Sequence, residues 1–154
     1  MEETKKKGLN TSSNSYTIIY SVVIVVIVAF LLAFVSSTLK PQQDENVALD
    51  KKKQILAALN IRDIDGAEAT EQYNKVVTAD KIIDRNGEEV EAGKQGGTEA
   101  GFLCNSASTK EGKLALYVCN VDGETKYVIP VYGMGLWGGI SGYIALNADK
   151  QTVY

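Results

Sequence analysis

The amino-acid sequence predicts an α+β protein: one N-terminal transmembrane helix followed by an extracytoplasmic domain with an antiparallel β-sheet and flanking helices. Two observations carry this prediction. No charged residue occurs between Gly8 and Leu39, although 23% of the 154 residues are charged overall. Beyond that segment, short alternating apolar and polar runs are separated by Asn-Gly and Asp-Gly pairs, which are turn signals. The last run stops at Tyr154, so the domain is expected to be incomplete at its C-terminus.

The transmembrane helix is predicted over residues 16–39. These 24 residues form a helix of about 36 Å, which crosses a hydrocarbon layer of about 30 Å with some tilt. A cleaved signal peptide is the alternative, but its apolar region usually covers about 7–15 residues. Because the uncharged stretch is longer, an uncleaved anchor is the preferred interpretation. Residues 1–15 then form a short cytoplasmic tail and residues 40–46 a polar linker.

The lysines beside the span are similar in number on its two sides. Lys5–Lys7 precede it, whereas Lys40 and Lys51–Lys53 follow it. A short tail with a lysine triplet more often stays in the cytoplasm, and a long following domain is translocated largely regardless of charge. The sequence therefore favours a cytoplasmic N-terminus and an extracytoplasmic main domain.

Residues 47–154 are predicted to form that domain, with helices first and strands after them. Its first segment is rich in Ala, Leu, Lys and Gln, which favour helix, and later segments are rich in Val and Ile. The predicted elements are helices over 47–59 and 66–73, a strand over 75–84, a turn at 86–87, a glycine-rich loop over 91–100, a short strand starting at 102–103, and a last strand over 140–146.

A hairpin is the best-defined element of the predicted sheet. Its strands, 113–121 and 124–132, flank Asp122-Gly123, a pair that favours a type I′ turn. The resulting register pairs Val121 with Glu124, Cys119 with Lys126, and Tyr117 with Val128. Pro130 then falls opposite Ala115, and because proline has no N–H to donate, an edge or a bulge is expected there.

The composition excludes several classes of function. The chain has no histidine, which removes imidazole bases, Ser–His and Cys–His dyads and all His-containing metal sites. Residues 40–154 carry 13 basic and 17 acidic side chains, so no nucleic-acid partner is expected. Cys104 and Cys119 are too few for a cysteine-only metal site. They either form a disulfide outside the cytoplasm or are buried as small apolar side chains.

The segment from Tyr132 to Tyr143 (YGMGLWGGISGY) is the strongest candidate site. It holds five of the fourteen glycines and the only tryptophan, Trp137. Glycines let the backbone approach a ligand closely, and Leu136 with Trp137 would supply a flat apolar wall for an aromatic ring system. The alternative is a tight bend between two strands, with Trp137 buried in the core.

These features together resemble a known family. The anchor, the run LDKKKQILAAL (Leu49 to Leu59), the hairpin and the run VYGMGLWGGISGYIAL (Val131 to Leu146) look like the C subunit of the sodium-translocating NADH:quinone reductase, which belongs to the FMN-binding domain family. The related flavin subunit of the Rnf electron-transfer complex is more distantly similar. The most specific pieces are the G-x-G-L-W run and the LDKKK-x-IL run.

The resemblance implies a membrane-anchored subunit of the inner membrane that relays electrons from NADH towards quinone through FMN, coupled to sodium export. Its partners would be the other membrane subunits and lipid, and the chain alone is not expected to be catalytic. Gly135, Leu136 and Trp137 would pack on the flavin. In the family the FMN phosphate is attached to a threonine of an S-G-A-T-x-T motif. That motif and the H-x-E-T-P-G-L-G run are absent from the 154 residues, so the chain is expected to be the N-terminal portion of such a subunit.

Two other functions remain open on the sequence. One is a membrane-anchored extracytoplasmic interaction module without a cofactor, in which Trp137 is only a core residue. The other is an extracytoplasmic domain whose aromatic-lined cleft holds a free small molecule. Bound flavin distinguishes the electron-transfer subunit from the interaction module, and covalent flavin argues against the free-ligand domain.

Overall fold

A computed structural model describes residues 13–154. Its first element is the long helix α1, Asn14–Ala58, which contains the predicted span 16–39. In the described part of the chain, α1 is the one helix long and apolar enough to cross a membrane. Most of the predicted N-terminal tail, residues 1–12, lies outside the described residues, and so does its lysine triplet.

Residues 40–46, the predicted polar linker, are helical. Helix α1 continues through the polar segment 40–46, with Pro41 in its interior, into the helix that was predicted over 47–59. A proline in a helix interior removes one backbone hydrogen bond, which costs about 3 kcal/mol. The residues that follow Pro41 are mostly Gln, Glu and Asp, and Gln and Glu are good helix formers. The division between two compact units falls within this segment, after Glu45.

The unit after Glu45 is built on a five-stranded antiparallel sheet, which confirms the predicted α+β class. The strands are β1 Val77–Ile83, β2 Glu89–Glu91, β3 Leu114–Val121, β4 Glu124–Met134 and β5 Gly139–Leu146, in the spatial order β2-β1-β3-β4-β5. Helix α2, Gly66–Val76, precedes the sheet and extends three residues beyond its predicted end. A 3₁₀ turn at Gly101–Leu103 and the short helix α3, Ser106–Lys110, lie between β2 and β3.

The predicted hairpin between β3 and β4 is confirmed together with its register. The structure pairs Val121 with Glu124, Cys119 with Lys126, and Tyr117 with Val128. Asp122 and Gly123 have φ values of 53° and 85°, the two positive angles that a type I′ turn requires.

Beyond Val128, strand β4 no longer pairs with β3. Pro130 pairs instead with Tyr143 of β5, and the β4–β5 ladder continues to Met134 and Gly139. The expected interruption at Pro130 is confirmed on the β3 side, where proline has no N–H to offer. The end of β4, from Pro130 to Met134, is consequently paired on one side.

The predicted short strand at Phe102–Leu103 is wrong, because these residues form the 3₁₀ turn. The cause is the buried carboxylate of Asp80 on β1, which is 1% exposed. It accepts hydrogen bonds from the backbone N–H groups of Lys94 (3.2 Å), Ala100 (3.1 Å) and Phe102 (3.3 Å). These bonds fold the glycine-rich loop over β1, so its N–H groups are not available to a sheet.

Lys51, which belongs to the LDKKK run, connects α1 to the segment around the 3₁₀ turn. The Lys51 ammonium group donates hydrogen bonds to the carbonyl oxygens of Phe102 and Cys104, the latter at 3.2 Å, and lies 4.8 Å from the centre of the Phe102 ring. Burial lowers the pKa of Lys51. Lys51 is half-buried, and backbone carbonyls and a ring face take the place of a carboxylate partner for its ammonium group.

The core lies between the sheet, α2 and the last turns of α1. Its largest fully buried side chains are Tyr73, Tyr117, Ile55, Leu56, Leu59, Val77 and Val128. The Tyr73 hydroxyl donates to the Gly97 carbonyl oxygen at 2.9 Å. Both cysteines are buried and free, so they are small apolar side chains and the disulfide alternative is wrong.

The buried thiol of Cys119 is expected to make the domain less stable in alkali. Burial raises its pKa from 9.0 to about 12, so the thiol contributes stability below pH 9 that is lost between pH 9 and pH 12. Each pKa unit corresponds to about 1.4 kcal/mol. When the pH is raised from 8 to 10.5, the free energy of unfolding should fall by about 2 kcal/mol more in the native chain than in Cys119→Val. Denaturant unfolding at the two pH values measures this difference. Equal losses in the two proteins would contradict this assignment.

Candidate functional site

The glycine-rich segment folds into the hairpin that joins β4 to β5. The last pair of the ladder is Met134 with Gly139, and the Gly135 N–H donates to the Gly138 carbonyl oxygen at 2.7 Å. Leu136 and Trp137 therefore occupy the tip of a tight turn. Gly138 has a φ of 151°, which L side chains rarely adopt.

The tip exposes its apolar side chains almost completely. Trp137 is 97% exposed, Leu136 92% and Met134 86%. The sequence offers, as the alternative to a ligand site, a tight bend with a buried Trp137. The bend is confirmed, but the burial is wrong, because the hairpin carries Trp137 away from the core. Three such side chains at one turn form an apolar surface that a packed core does not explain.

Glycine at position 135 allows the two arms of the tip to close. A Cβ atom at Gly135 would lie 2.6 Å from the Cδ1 atom of Ile140, which is closer than such atoms approach. The Ile140 side chain therefore packs on the Gly135 backbone. Of the three residues predicted to pack on a flavin, Gly135 shapes the turn, while Leu136 and Trp137 provide the exposed surface.

A groove of about 550 Å³ lies beside the tip, between α3 and the adjoining ends of β4 and β5. One wall is polar and the other is mostly apolar; the lining residues are Asn105, Ser106, Thr109, Lys110, Tyr132, Gly133, Met134, Gly139, Ile140 and Ser141. The groove occupies the region where β4 has separated from β3. Partial desolvation raises the pKa of the Tyr132 phenol.

Helix α3, the polar wall of this groove, was not predicted. The Asn105 side chain caps it by accepting hydrogen bonds from the N–H groups of Ala107 (2.8 Å) and Ser108 (3.2 Å). The Ser108 hydroxyl accepts a hydrogen bond from the Asn105 N–H at 3.4 Å, which completes a capping box. The run N-S-A-S is the sequence signal that could have indicated this helix start, since Asn at the N-cap is strongly favoured.

The tip and groove suit a planar aromatic group better than a metal ion. No group of three or more His, Cys, Asp or Glu side chains that could hold a metal occurs among residues 13–154. Trp137 and Leu136 offer one exposed apolar wall, on which an aromatic ring can pack. Beyond this wall, the described residues that line the groove provide one cation, Lys110, for an anionic substituent.

Comparisons with curated proteins give one consistent name. The chain is similar to the C subunit of the Na(+)-translocating NADH-quinone reductase of Pseudomonas aeruginosa, with 26% identity over 94% of this chain and 62% of that protein. The same subunit of Vibrio campbellii is 25% identical over 75% of this chain, and that of Haemophilus ducreyi 30% identical over 75%. The chain spans 62%, 51% and 50% of these three relatives.

A solved structure supports the same relationship. The crystal structure of the C subunit of the Na(+)-translocating NADH-quinone reductase from Parabacteroides distasonis matches with a TM-score of 0.67 and 34% sequence identity. The match covers 75% of this chain and 55% of the other. No protein-family model matches the chain.

Proposed function

Because this chain is a relative of the C subunit of the Na(+)-translocating NADH-quinone reductase, we propose that it is a membrane-anchored flavin subunit of such a complex. In this role it relays electrons from NADH towards quinone through FMN, and the complex couples the transfer to sodium export. The observation that carries the flavin assignment is the tip of the β4–β5 hairpin, where Trp137 and Leu136 are almost fully exposed.

The protein's part in this chemistry is to hold and shield the cofactor. Bound FMN supplies the one-electron redox chemistry that the relay needs. Trp137 and Leu136 contact the ring, exclude water from one of its faces and so influence which redox state is favoured. The Ile140 side chain packs on the Gly135 backbone and fixes the turn that carries Trp137 and Leu136. Because Trp137 and Leu136 lie at the end of a hydrogen-bonded hairpin, their positions relative to a bound ring are fixed.

The anchor and the partners follow from the same proposal. Residues 16–39 of α1 span the inner membrane once, with the N-terminus in the cytoplasm and the sheet domain outside. The other membrane subunits of the reductase and the surrounding lipid are the partners. No Asp, Glu, Lys or Arg lies within residues 16–39, so an ion path through the membrane would belong to other subunits.

A binding measurement tests the flavin assignment. FMN is titrated into the full chain in detergent micelles, and binding is followed by flavin fluorescence. We expect Trp137→Ala to weaken binding about tenfold, because aromatic stacking on a base-like ring contributes about 1–3 kcal/mol. Circular dichroism should stay unchanged, since the side chain is 97% exposed. Leu103→Ala, at an exposed leucine in the 3₁₀ turn, is the matched control and should bind normally.

The interaction module without a cofactor is the second candidate, and the same tip favours it. An exposed set of Met134, Leu136 and Trp137 can equally insert into a protein partner, because buried aromatic residues dominate many interfaces. The titration separates the two functions. If the native chain binds no FMN above the micelle background, or if Trp137→Ala binds it as well as the native chain, the flavin assignment fails and the interaction module is preferred.

A further inference from the structure

The turn between β1 and β2 contains the Asn86-Gly87 pair, which the sequence predicts as a turn. Both residues are exposed, and the Gly87 N–H donates to the Asp84 carbonyl oxygen at 3.1 Å, which closes a β-turn. Gly87 has a φ of 85°, and nothing lies within 4 Å of the position that its Cβ would occupy. Solvent therefore reaches both residues of the pair.

An asparagine followed by glycine can react within its own chain. The backbone nitrogen of Gly87 attacks the side-chain carbonyl carbon, Cγ, of Asn86. The N–Cγ bond forms, the Cγ–Nδ2 bond breaks, and the Gly87 proton leaves with the amide nitrogen as ammonia. Water then opens the resulting succinimide ring: breaking the N–Cγ bond gives aspartate, and breaking the bond from nitrogen to the backbone carbonyl carbon gives isoaspartate. Because glycine has no Cβ, its nitrogen approaches Cγ with little steric hindrance.

Asp84 restrains both groups that take part in this reaction. Its Oδ2 atom accepts a hydrogen bond from the Asn86 side-chain Nδ2 at 3.0 Å, and its Oδ1 atom accepts one from the Asn86 backbone N–H at 2.8 Å. Its carbonyl oxygen binds the Gly87 N–H, which belongs to the attacking nitrogen. These hydrogen bonds must break before the ring can close, so Asp84 determines how often Asn86 reaches a reactive conformation.

We propose that Asn86 is a site of non-enzymatic deamidation, that Asp84 slows the reaction, and that the modification loosens β2. Strand β2 has three residues and lies at the edge of the sheet, paired with β1. Both products place a carboxylate where the Asn86 amide now donates to Asp84, so repulsion replaces a hydrogen bond. Isoaspartate also lengthens the backbone of the turn, because the chain then runs through the side chain.

The experiment follows the full native chain in detergent micelles during incubation in mildly alkaline buffer. Peptide mass spectrometry detects the mass that Asn86 gains when NH₂ is replaced by OH, and hydroxylamine, which cleaves a succinimide, should cut the chain between Asn86 and Gly87. Asn120 is the internal control, because it is also exposed and lies beside a hairpin turn, but the β-branched Val121 follows it. We expect Asn86 to convert while Asn120 stays unchanged, and Asn86→Gln to remove both signals.

Two further variants test the restraint. Asp84→Ala removes the carboxylate that holds Asn86 and should accelerate the conversion about fivefold, which is the effect of losing one ordinary hydrogen bond. Glu88→Ala removes an equal charge from the same turn and leaves both hydrogen bonds between Asp84 and Asn86 in place. It should convert at the native rate.

Each outcome decides one part of the inference. If the native chain shows neither the mass gain nor the hydroxylamine cut, or if Asn120 converts as fast as Asn86, the modification site is wrong whatever the variants do. If Asp84→Ala reacts no faster than Glu88→Ala, Asp84 does not restrain Asn86. After conversion, amide exchange should be faster in β2 and unchanged in β4, and unchanged exchange in β2 would mean that the modification does not loosen the edge.

Discussion

Replacing Asp80 with alanine is expected to lower the free energy of unfolding by about 3–5 kcal/mol. Its carboxylate accepts three backbone hydrogen bonds from the glycine-rich loop, and two of the donors, at Ala100 and Phe102, are buried. Removing the acceptor leaves these N–H groups without a partner, and each such loss costs about 1–3 kcal/mol. Denaturant unfolding of the full chain in micelles, followed by near-ultraviolet circular dichroism of the buried tyrosines, measures the change.

Two comparisons make this prediction specific. Asp80→Asn keeps one acceptor oxygen and should cost less than Asp80→Ala. Glu71→Ala removes an exposed carboxylate on α2 and should change stability by about 0.5 kcal/mol or less. Amide exchange at 94–102 should accelerate in Asp80→Ala before exchange in β3 does. If Asp80→Ala is as stable as Glu71→Ala, the loop is not held by this carboxylate.

Gly93→Ala is expected to lower the free energy of unfolding by about 3 kcal/mol or more. Gly93 has a φ of 65°, and a Cβ atom there would lie 2.3 Å from the backbone oxygen of Asp80. The left-handed conformation costs alanine about 1–2 kcal/mol, and the clash with backbone cannot be relieved by rotating a side chain. Thermal unfolding monitored by far-ultraviolet circular dichroism should show a lower midpoint for the variant.

Gly87→Ala provides the matched control for the clash. Gly87 also has a positive φ, 85°, but nothing lies within 4 Å of the position that its Cβ would occupy. Gly87→Ala should therefore lose only the free energy that the left-handed conformation costs alanine, about 1–2 kcal/mol. If the two variants are destabilised equally, the backbone conformation alone accounts for the loss of stability in Gly93→Ala. The close contact between the loop and β1 then contributes nothing to it.

Local patterns were sufficient to predict the β3–β4 hairpin. Asp122-Gly123 determines the turn type, the turn type determines the register, and the alternation places Tyr117 and Val128 on the buried face. The path of residues 91–104 could not be predicted in the same way. It depends on Asp80, which lies 14 and 22 residues before the N–H groups of Lys94 and Phe102 that it binds.

The helical conformation of the linker, residues 40–46, could not be predicted for a related reason. Pro41 and the polar residues after it are typical of a break, because proline disfavours a helix interior. The structure nevertheless continues α1 from Asn14 to Ala58. A helix that is already propagating gains a hydrogen bond for each added residue, whereas starting a new helix costs nucleation. Composition alone does not reveal that balance.

The candidate site was only partly predictable. The concentration of glycines around Trp137 indicated a special backbone, and the structure has a tight hairpin there. Whether Trp137 faces the core or solvent depends on where the ladder ends, which the sequence pattern does not determine. The groove depends on the separation of β4 from β3 after Val128 and on the placement of α3, so it is a property of tertiary structure.

The two edges of the sheet differ in how they resist pairing with another chain. Strand β2 has three residues, two of them glutamates, and both its shortness and its charge discourage an added strand. Strand β5 is longer and uncharged, with Ile140 exposed, and outside its pairing with β4 the described residues add one bridge, between Leu146 and Val153. The β2 edge is therefore protected by its own residues, whereas the β5 edge is met by the segment that follows it, where the Tyr154 N–H donates to the Ala145 carbonyl oxygen at 2.9 Å.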